Sequence, residues 1–435
     1  MQKMENLANQ NNNRKNNINN IKRILLVYGK LNTGGIETLI VRMVKWLCRN
    51  GYLVTLFLYG GEGELIKYLK NLENLTIIVN DYNSVHNRSI LSRILLRLSS
   101  RLFRELQISY LHRKYLRNQK YDLIYSFNPE SFIISYLFNG KIYLSGVYHL
   151  ETYYKESRQS IIKYLRNLDK DFTDKIIFMN ESTKYNTENY FHKKLKGGIF
   201  PLPVEISGKR EILKKESGYK RYYSRKIISI GRIVDFKTYN FYMVDVMESL
   251  IRKYPEIEYH IYGFGPLKEK LIAKINNSNC KKNIIYHGEL KYSDMDNVLK
   301  DCFCFIGMGT SLIEACLLEI PGITAILDDV DGNSHGYLYE LPKYECGGLE
   351  DNKNAKYKVK ILIEELLNMS EDEYKLISRK CKNKAMEFDI ENIMLDFMEH
   401  VNTLKRQSKI KKASYVKLFF LRLLNFMDKI YKFDI

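Results

Sequence analysis

The chain is missing most of the signatures that would place it in a well-marked class. Its first strand-like run, residues 24–28, leads into a turn without the GxGxxG spacing that a dinucleotide site wants. No DxD stands beside the glycine-containing loops, so the usual sign of a Mg²⁺–diphosphate clamp is missing, and the acidic cluster Asp328-Asp329-Val330-Asp331 reads as a loop. The seven cysteines (48, 280, 302, 304, 316, 346 and 381) are scattered. Cys302 and Cys304 share one face of a strand, but no second pair follows at zinc spacing. Buried thiols in a reducing compartment are expected, and no metal site is. Zinc-finger, RNP-like and helix-turn-helix spacings are absent, which argues against nucleic acid as a partner. The first twenty residues, MQKMENLANQNNNRKNNINN, have almost nothing to bury and no apolar run. They read as a disordered tail over 1–20 rather than a secretory signal, and the expected location is cytoplasmic.

What is present is a basic, globular chain. At 435 residues it exceeds the size at which one core keeps growing, so two domains are expected, and 45% apolar content suits a folded protein. Sixty-nine basic against 50 acidic residues give +19, which asks for an anionic partner. Much of that charge lies in 88–120 and 405–432, interleaved with Leu, Ile, Phe and Tyr. Projected at about 100° per residue, 413–435 places Val416, Phe419, Leu423 and Ile430 on one face and Lys417, Arg422, Lys429 and Lys432 on the other. Such a basic amphipathic helix lies in a membrane interface, or docks on its own domain or a dimer partner; charge interrupts it too often to span a bilayer.

Short apolar runs alternate with helical patterns twice along the chain, the pattern of parallel sheets covered by helices. The first series runs from residue 23 to about 203. A polar, charged stretch then reads as a linker, and the second series starts at residue 226.

The chemistry-bearing residues sit where strands hand over to helices. Gly34 and Gly35 follow the first strand and open a helix, a place where free N–H groups favour a phosphate or carboxylate, though a plain tight turn reads equally well. Arg232 and Lys237 follow the strand at 226–230, where positive groups suit a diphosphate leaving group. Gly263 and Gly265 follow a later strand and would allow close approach to a ligand. Gly307, Met308, Gly309, Thr310 and Ser311 form a glycine- and hydroxyl-rich strand-to-helix turn able to hold a phosphate, with Glu314 one turn into the helix. A carboxylate there can accept hydrogen bonds from the vicinal hydroxyls of a ribose. His149, after the strand at 142–146, can donate to a sugar hydroxyl or phosphate oxygen, although a packed or surface histidine is the simpler reading.

The runs ISIGRIVDFK, IYGFGP, YHGEL and GMGTSLIEACLLEIP, in this order between 226 and 321, resemble the retaining glycosyltransferases of the glycogen-synthase-like group 4, a GT-B fold. The resemblance covers about 22–404. It implies an α/β chain of two facing Rossmann-like domains with a cleft between them: 21–203 on the acceptor side, a linker at 204–225, a nucleotide-sugar-binding domain at 226–387, a helix at 388–404 crossing back, and the basic tail at 405–435. It further implies that Arg232 and Lys237 bind the donor diphosphate, that Glu314 binds the ribose, that Gly309, Thr310 and their neighbours supply amides, and that His149 touches the donor sugar. The reaction implied is metal-independent transfer from a nucleoside diphosphate sugar, a co-substrate with no further cofactor. Placed beside the basic patches, this suggests a lipid-linked saccharide acceptor at the anionic inner face of a bacterial membrane, in surface-polysaccharide synthesis. The family's usual pair of glutamates is broken here, because the first falls on Ile306, which points to altered donor choice. The residue after EAxxx, usually small, is Glu319. A sugar-nucleotide epimerase of the same general fold and a non-catalytic sugar-nucleotide-binding protein are the alternatives.

Overall fold

The structure, a computed structural model, describes residues 21–80, 115–150, 152–153, 159–206, 219–347 and 355–404. The expected tail at 1–20, the basic stretch 88–114, the carboxylates Glu151 and Glu156 that follow His149 in sequence, most of the linker, and the amphipathic run 405–435 lie outside the described residues. These residues group into two compact units, one from 21–202 with 391–404 and one from 203–390.

The first unit is built on six parallel strands: β1 (Arg23–Tyr28), β2 (Leu53–Leu58), β3 (Leu75–Val79), β4 (Lys120–Ser126), β5 (Asn139–Val147) and β6 (Ile176–Phe178), in the order β3-β2-β1-β4-β5-β6. Ile24, Leu25, Leu26 and Val27 are all fully buried, the near-continuous apolar run of a strand covered on both faces. Two helices of this unit start at side-chain capping boxes. Asn128 accepts from the N–H of Ser131 at 2.8 Å while the Ser131 hydroxyl accepts from the N–H of Asn128 at 3.1 Å, and Pro129 opens helix Pro129–Ser135. The same box, Asn180 with Thr183, starts the polar helix Glu181–Phe191. The closing helix, Ile390–Thr403, packs on this unit: Phe397 lies 5.4 Å from the rings of Tyr125 and Phe200, and Glu391 accepts from the Trp46 indole at 3.0 Å.

The second unit has five parallel strands, β7 (Lys226–Ile230), β8 (Glu258–Tyr262), β9 (Ile284–Gly288), β10 (Cys302–Gly307) and β11 (Gly322–Thr324), in the order β11-β10-β7-β8-β9. Cys302 and Cys304 do not continue one register against β7, because the pairing shifts between them, and all seven cysteines are buried free thiols. In each unit the winding reverses beside the first strand, between β1 and β4 and between β7 and β10. The carboxyl ends of such strands are where α/β folds bind ligands.

The charged stretch before β7 contains an element of its own, helix Tyr219–Ser224. Arg221, only 4% exposed, fastens it: Nε donates to the Lys300 carbonyl at 2.9 Å and Nη1 to the Leu318 carbonyl at 2.6 Å. These carbonyls close helices Met295–Leu299 and Thr310–Leu317. Arg221→Ala removes two charge-assisted bonds and strands both acceptors, so it is expected to lower the unfolding free energy by about 2–3 kcal/mol. An unmoved urea midpoint would contradict that role.

Candidate functional site

The β7/β10 reversal brings most of the sequence-selected residues of the second unit to one edge. The loop after β7, residues 231–238, is fixed from two sides. On one side Gly231 N donates to Tyr262 O at 3.0 Å, Ile233 N to Phe264 O at 3.1 Å, and Leu267 N to Ile233 O at 3.3 Å. On the other, Asp328 N donates to Phe236 O at 3.1 Å and the Thr238 hydroxyl donates to the Asp329 carbonyl. The buried Asp329 carboxylate accepts from Asn333 N at 2.8 Å and Nδ2 at 2.6 Å, which stiffens the turn pressed on Thr238.

The glycines at 263 and 265 are explained by this packing. A Cβ on Gly263 would stand 1.8 Å from the Gly231 carbonyl oxygen, and one on Gly265 2.1 Å from that of Ile233. Their lack of a side chain lets two loop backbones touch.

Arg232 is exposed and Lys237 half-buried. Loss of water and the Arg232 guanidinium lower the Lys237 ammonium from its usual range to about 8, while the Cys346 thiol acts in the opposite sense. Among the described residues neither cation has an acidic partner. Two positive groups without an acidic partner attract an anion where no carboxylate competes for them.

Across the edge, Ile306 is fully buried in β10, paired with Ile323, so this side chain belongs to the core. Gly309 has φ +72° and precedes helix Thr310–Leu317. Its own N–H is taken by the Cys346 carbonyl at 2.7 Å, so this amide of the loop already has a partner within the chain. The helix has no side-chain cap and no acid in its first turn, so no side chain of its own neutralises the positive end of its dipole. The Ser311 hydroxyl donates back to Met308 O at 3.4 Å. Glu314 is 2% exposed and accepts from the Tyr292 hydroxyl at 3.3 Å. Tyr292, half exposed on the segment after β9, and Cys346 were not among the residues selected from sequence. Only the fold brings them here, and no local spacing announces them.

Glu319, in place of the expected small residue, holds φ +59°, a conformation that favours glycine, and Lys382 donates to its carboxylate at 2.6 Å. Among the described residues no group of three or more His, Cys, Asp or Glu is placed to hold a metal ion.

In the first unit, Gly34 and Gly35 open helix Gly35–Arg49 as the sequence suggests, but a carboxylate of the chain already faces that end. Glu37 Oε2 lies 2.3 Å from where a Cβ on Gly34 would stand, and Oε1 accepts from the Tyr28 hydroxyl at 3.0 Å. His149 is exposed just beyond β5, and its carbonyl accepts from the N–H and hydroxyl of Thr152 at 3.1 and 2.7 Å.

Residues 212–380 match the family described as "Glycosyl transferases group 1". Two curated proteins are similar. One is the poly(ribitol-phosphate) alpha-N-acetylglucosaminyltransferase of Staphylococcus aureus, 24% identical over 43% of this chain and 37% of the relative. The other is an uncharacterized glycosyltransferase of Methanocaldococcus jannaschii, 26% identical over 52% of this chain and 63% of the relative. The chain thus spans less than two thirds of either. Among solved structures, Anabaena HepE with UDP and glucose matches at TM-score 0.61 and 12% identity, over 88% of this chain and all of HepE. Staphylococcus aureus TarM matches at 0.61 and 13%, over 88% of this chain and 99% of TarM. Residues 212–380 of the second unit are thus similar to the glycosyl transferase group 1 family, and the chain shares with HepE and TarM the fold of two α/β units, GT-B.

Proposed function

We propose that this chain transfers a sugar from a nucleoside diphosphate sugar to an acceptor hydroxyl, with retention at the anomeric carbon and without a required metal. The observation that carries the reading is the pairing, at one sheet edge, of two cations lacking acidic partners with an acid-free helix end. As the bond from the anomeric carbon to the phosphate oxygen breaks, negative charge grows on the diphosphate, and Arg232 and Lys237 meet it there. The N–H groups from Thr310 onward share that charge, with Gly307, Met308 and Gly309 shaping the turn and Ser311 beside it. A departing phosphate oxygen takes the proton of the acceptor hydroxyl on the same face, and the acceptor oxygen bonds to the carbon. Glu314 accepts hydrogen bonds from the two ribose hydroxyls. For His149, the role we propose is that of a hydrogen-bond donor to the sugar. Gly263 and Gly265 serve the donor indirectly, by letting the loop that carries Arg232 and Lys237 pack backbone to backbone.

The acceptor we assign is a lipid-linked saccharide at the inner membrane face, reached through the basic stretches, in surface-polysaccharide synthesis. One relative is named for poly(ribitol phosphate), an anionic polymer, which suits an anionic acceptor for this basic chain. No helix of the described residues is long and apolar enough to cross a membrane.

A panel of UDP-, GDP- and CMP-sugars, scored by protection against thermal unfolding and then by transfer, tests the donor reading. With the donor so found, Glu314→Gln is expected to weaken binding about tenfold or more, since bonds to a charged acceptor are worth about 1.5–3 kcal/mol. Unchanged affinity would remove Glu314 from the nucleoside site.

A further inference from the structure

Glu314 sits about one turn inside helix Thr310–Leu317 with its side chain out of water, and a carboxylate so placed needs donors. One comes from a segment remote in sequence. At the end of β9 the chain turns at Gly288, φ +78°, and reaches the short turn Tyr292–Asp294 ahead of helix Met295–Leu299. Both ends of this passage are fixed. Gly263 N donates to Gly288 O at 2.7 Å, and Met295 and Leu299 are buried. Between these anchors the Tyr292 hydroxyl donates to Glu314 Oε1 at 3.3 Å. The arrangement reverses that of an ordinary surface tyrosine, which buries its ring and leaves its hydroxyl in water. Tyr292 is 50% exposed, yet its hydroxyl is turned to a carboxylate that is 2% exposed. Apolar burial does not account for this geometry; the acid does.

We propose that Tyr292 is a positioning residue for Glu314 that sharpens the choice of ribose over deoxyribose: its hydroxyl fixes the plane of the carboxylate, so that the acid meets the ribose hydroxyls without first having to turn. The inference rests on the donor reading above and deepens it. A carboxylate has roughly four acceptor sites, so one phenol bond orients it without exhausting its capacity for hydroxyl donors. An acid free to rotate would give up that freedom on binding, whereas here the loss is taken during folding.

The test is calorimetric binding of UDP, GDP and ADP, each beside its 2′-deoxy form, to the full chain and to Tyr292→Phe. For the base that binds, the wild type is expected to favour the ribose form about tenfold, and Tyr292→Phe to cut that preference to about threefold or less, in line with the worth of bonds to a charged group. The loss should fall on the ribose form, with the 2′-deoxy form within about twofold of wild type. In a Glu314→Ala background, Tyr292→Phe should alter neither affinity, as expected of two residues that act as a unit. An unchanged ribose preference overturns the proposal. So does a parallel loss of both forms, the pattern of disturbed packing, and so does a further loss in the Glu314→Ala background. A wild type that binds ribose and deoxyribose forms equally overturns this inference and leaves the diphosphate site standing. One that binds none of the three nucleotides removes the donor reading itself.

Discussion

Replacing Lys237 by methionine is expected to reduce turnover of the nucleotide sugar about 10²- to 10³-fold, the usual effect of deleting one preorganised group that meets developing charge. The same change should leave the fold at least as stable. Lys237 titrates near 8 in the native chain against an ordinary 10.5, so between those values the unfolded chain holds a proton that the native chain lacks. From this group, stability therefore rises with pH across that window, and below it the buried charge counts against folding. Methionine keeps the aliphatic stem and removes the charge. Steady-state kinetics beside urea unfolding separate the outcomes: a turnover number within about threefold of wild type would remove Lys237 from the leaving-group site. A matched loss of stability and activity would show that it acts as packing.

Gly263→Ala should be the most damaging single methyl group at the site. The new Cβ would meet the Gly231 carbonyl oxygen at 1.8 Å, and neither backbone is free to withdraw. Gly263 N donates to Gly288 O at 2.7 Å, and the Gly263 carbonyl accepts from the Tyr286 hydroxyl at 2.7 Å. A stability loss of about 3 kcal/mol is expected, at the upper end for overpacking. Donor affinity should fall further than stability, because the displaced backbone carries Arg232 and Lys237, and a shift of about 1 Å can cost about 10²-fold. Gly35→Ala, where nothing lies within 4 Å of the new carbon, is the control expected to fold normally. Equal melting temperatures for Gly263→Ala and wild type would refute the close-approach account.

The order of strands and helices could be read from the sequence because strands such as β1 and β10 are short, mostly apolar runs, while β8 alternates buried and half-buried residues. The placement of Arg232, Lys237 and Gly307–Ser311 at strand ends followed directly. Other features depended on contacts that no local window contains. Gly263 and Gly265 look like ligand loops in sequence, yet the atoms that forbid a side chain there belong to residues 231 and 233. Gly309 looks like a free amide, and a carbonyl 37 positions later occupies it. Helix Tyr219–Ser224 hides in a stretch read as linker because its anchor, Arg221, is of a type normally left in water. Sheet order, which decides that β7 and β10 are neighbours, was likewise not legible.

The burial of all seven thiols has a practical consequence. A maleimide or similar probe should find little to react with in the native state. A cysteine introduced at an open position such as Tyr185, 62% exposed, would then be the preferred point of attachment. Spectroscopic reporters can thus be placed by choice, with no need first to strip the protein of its own sulfur.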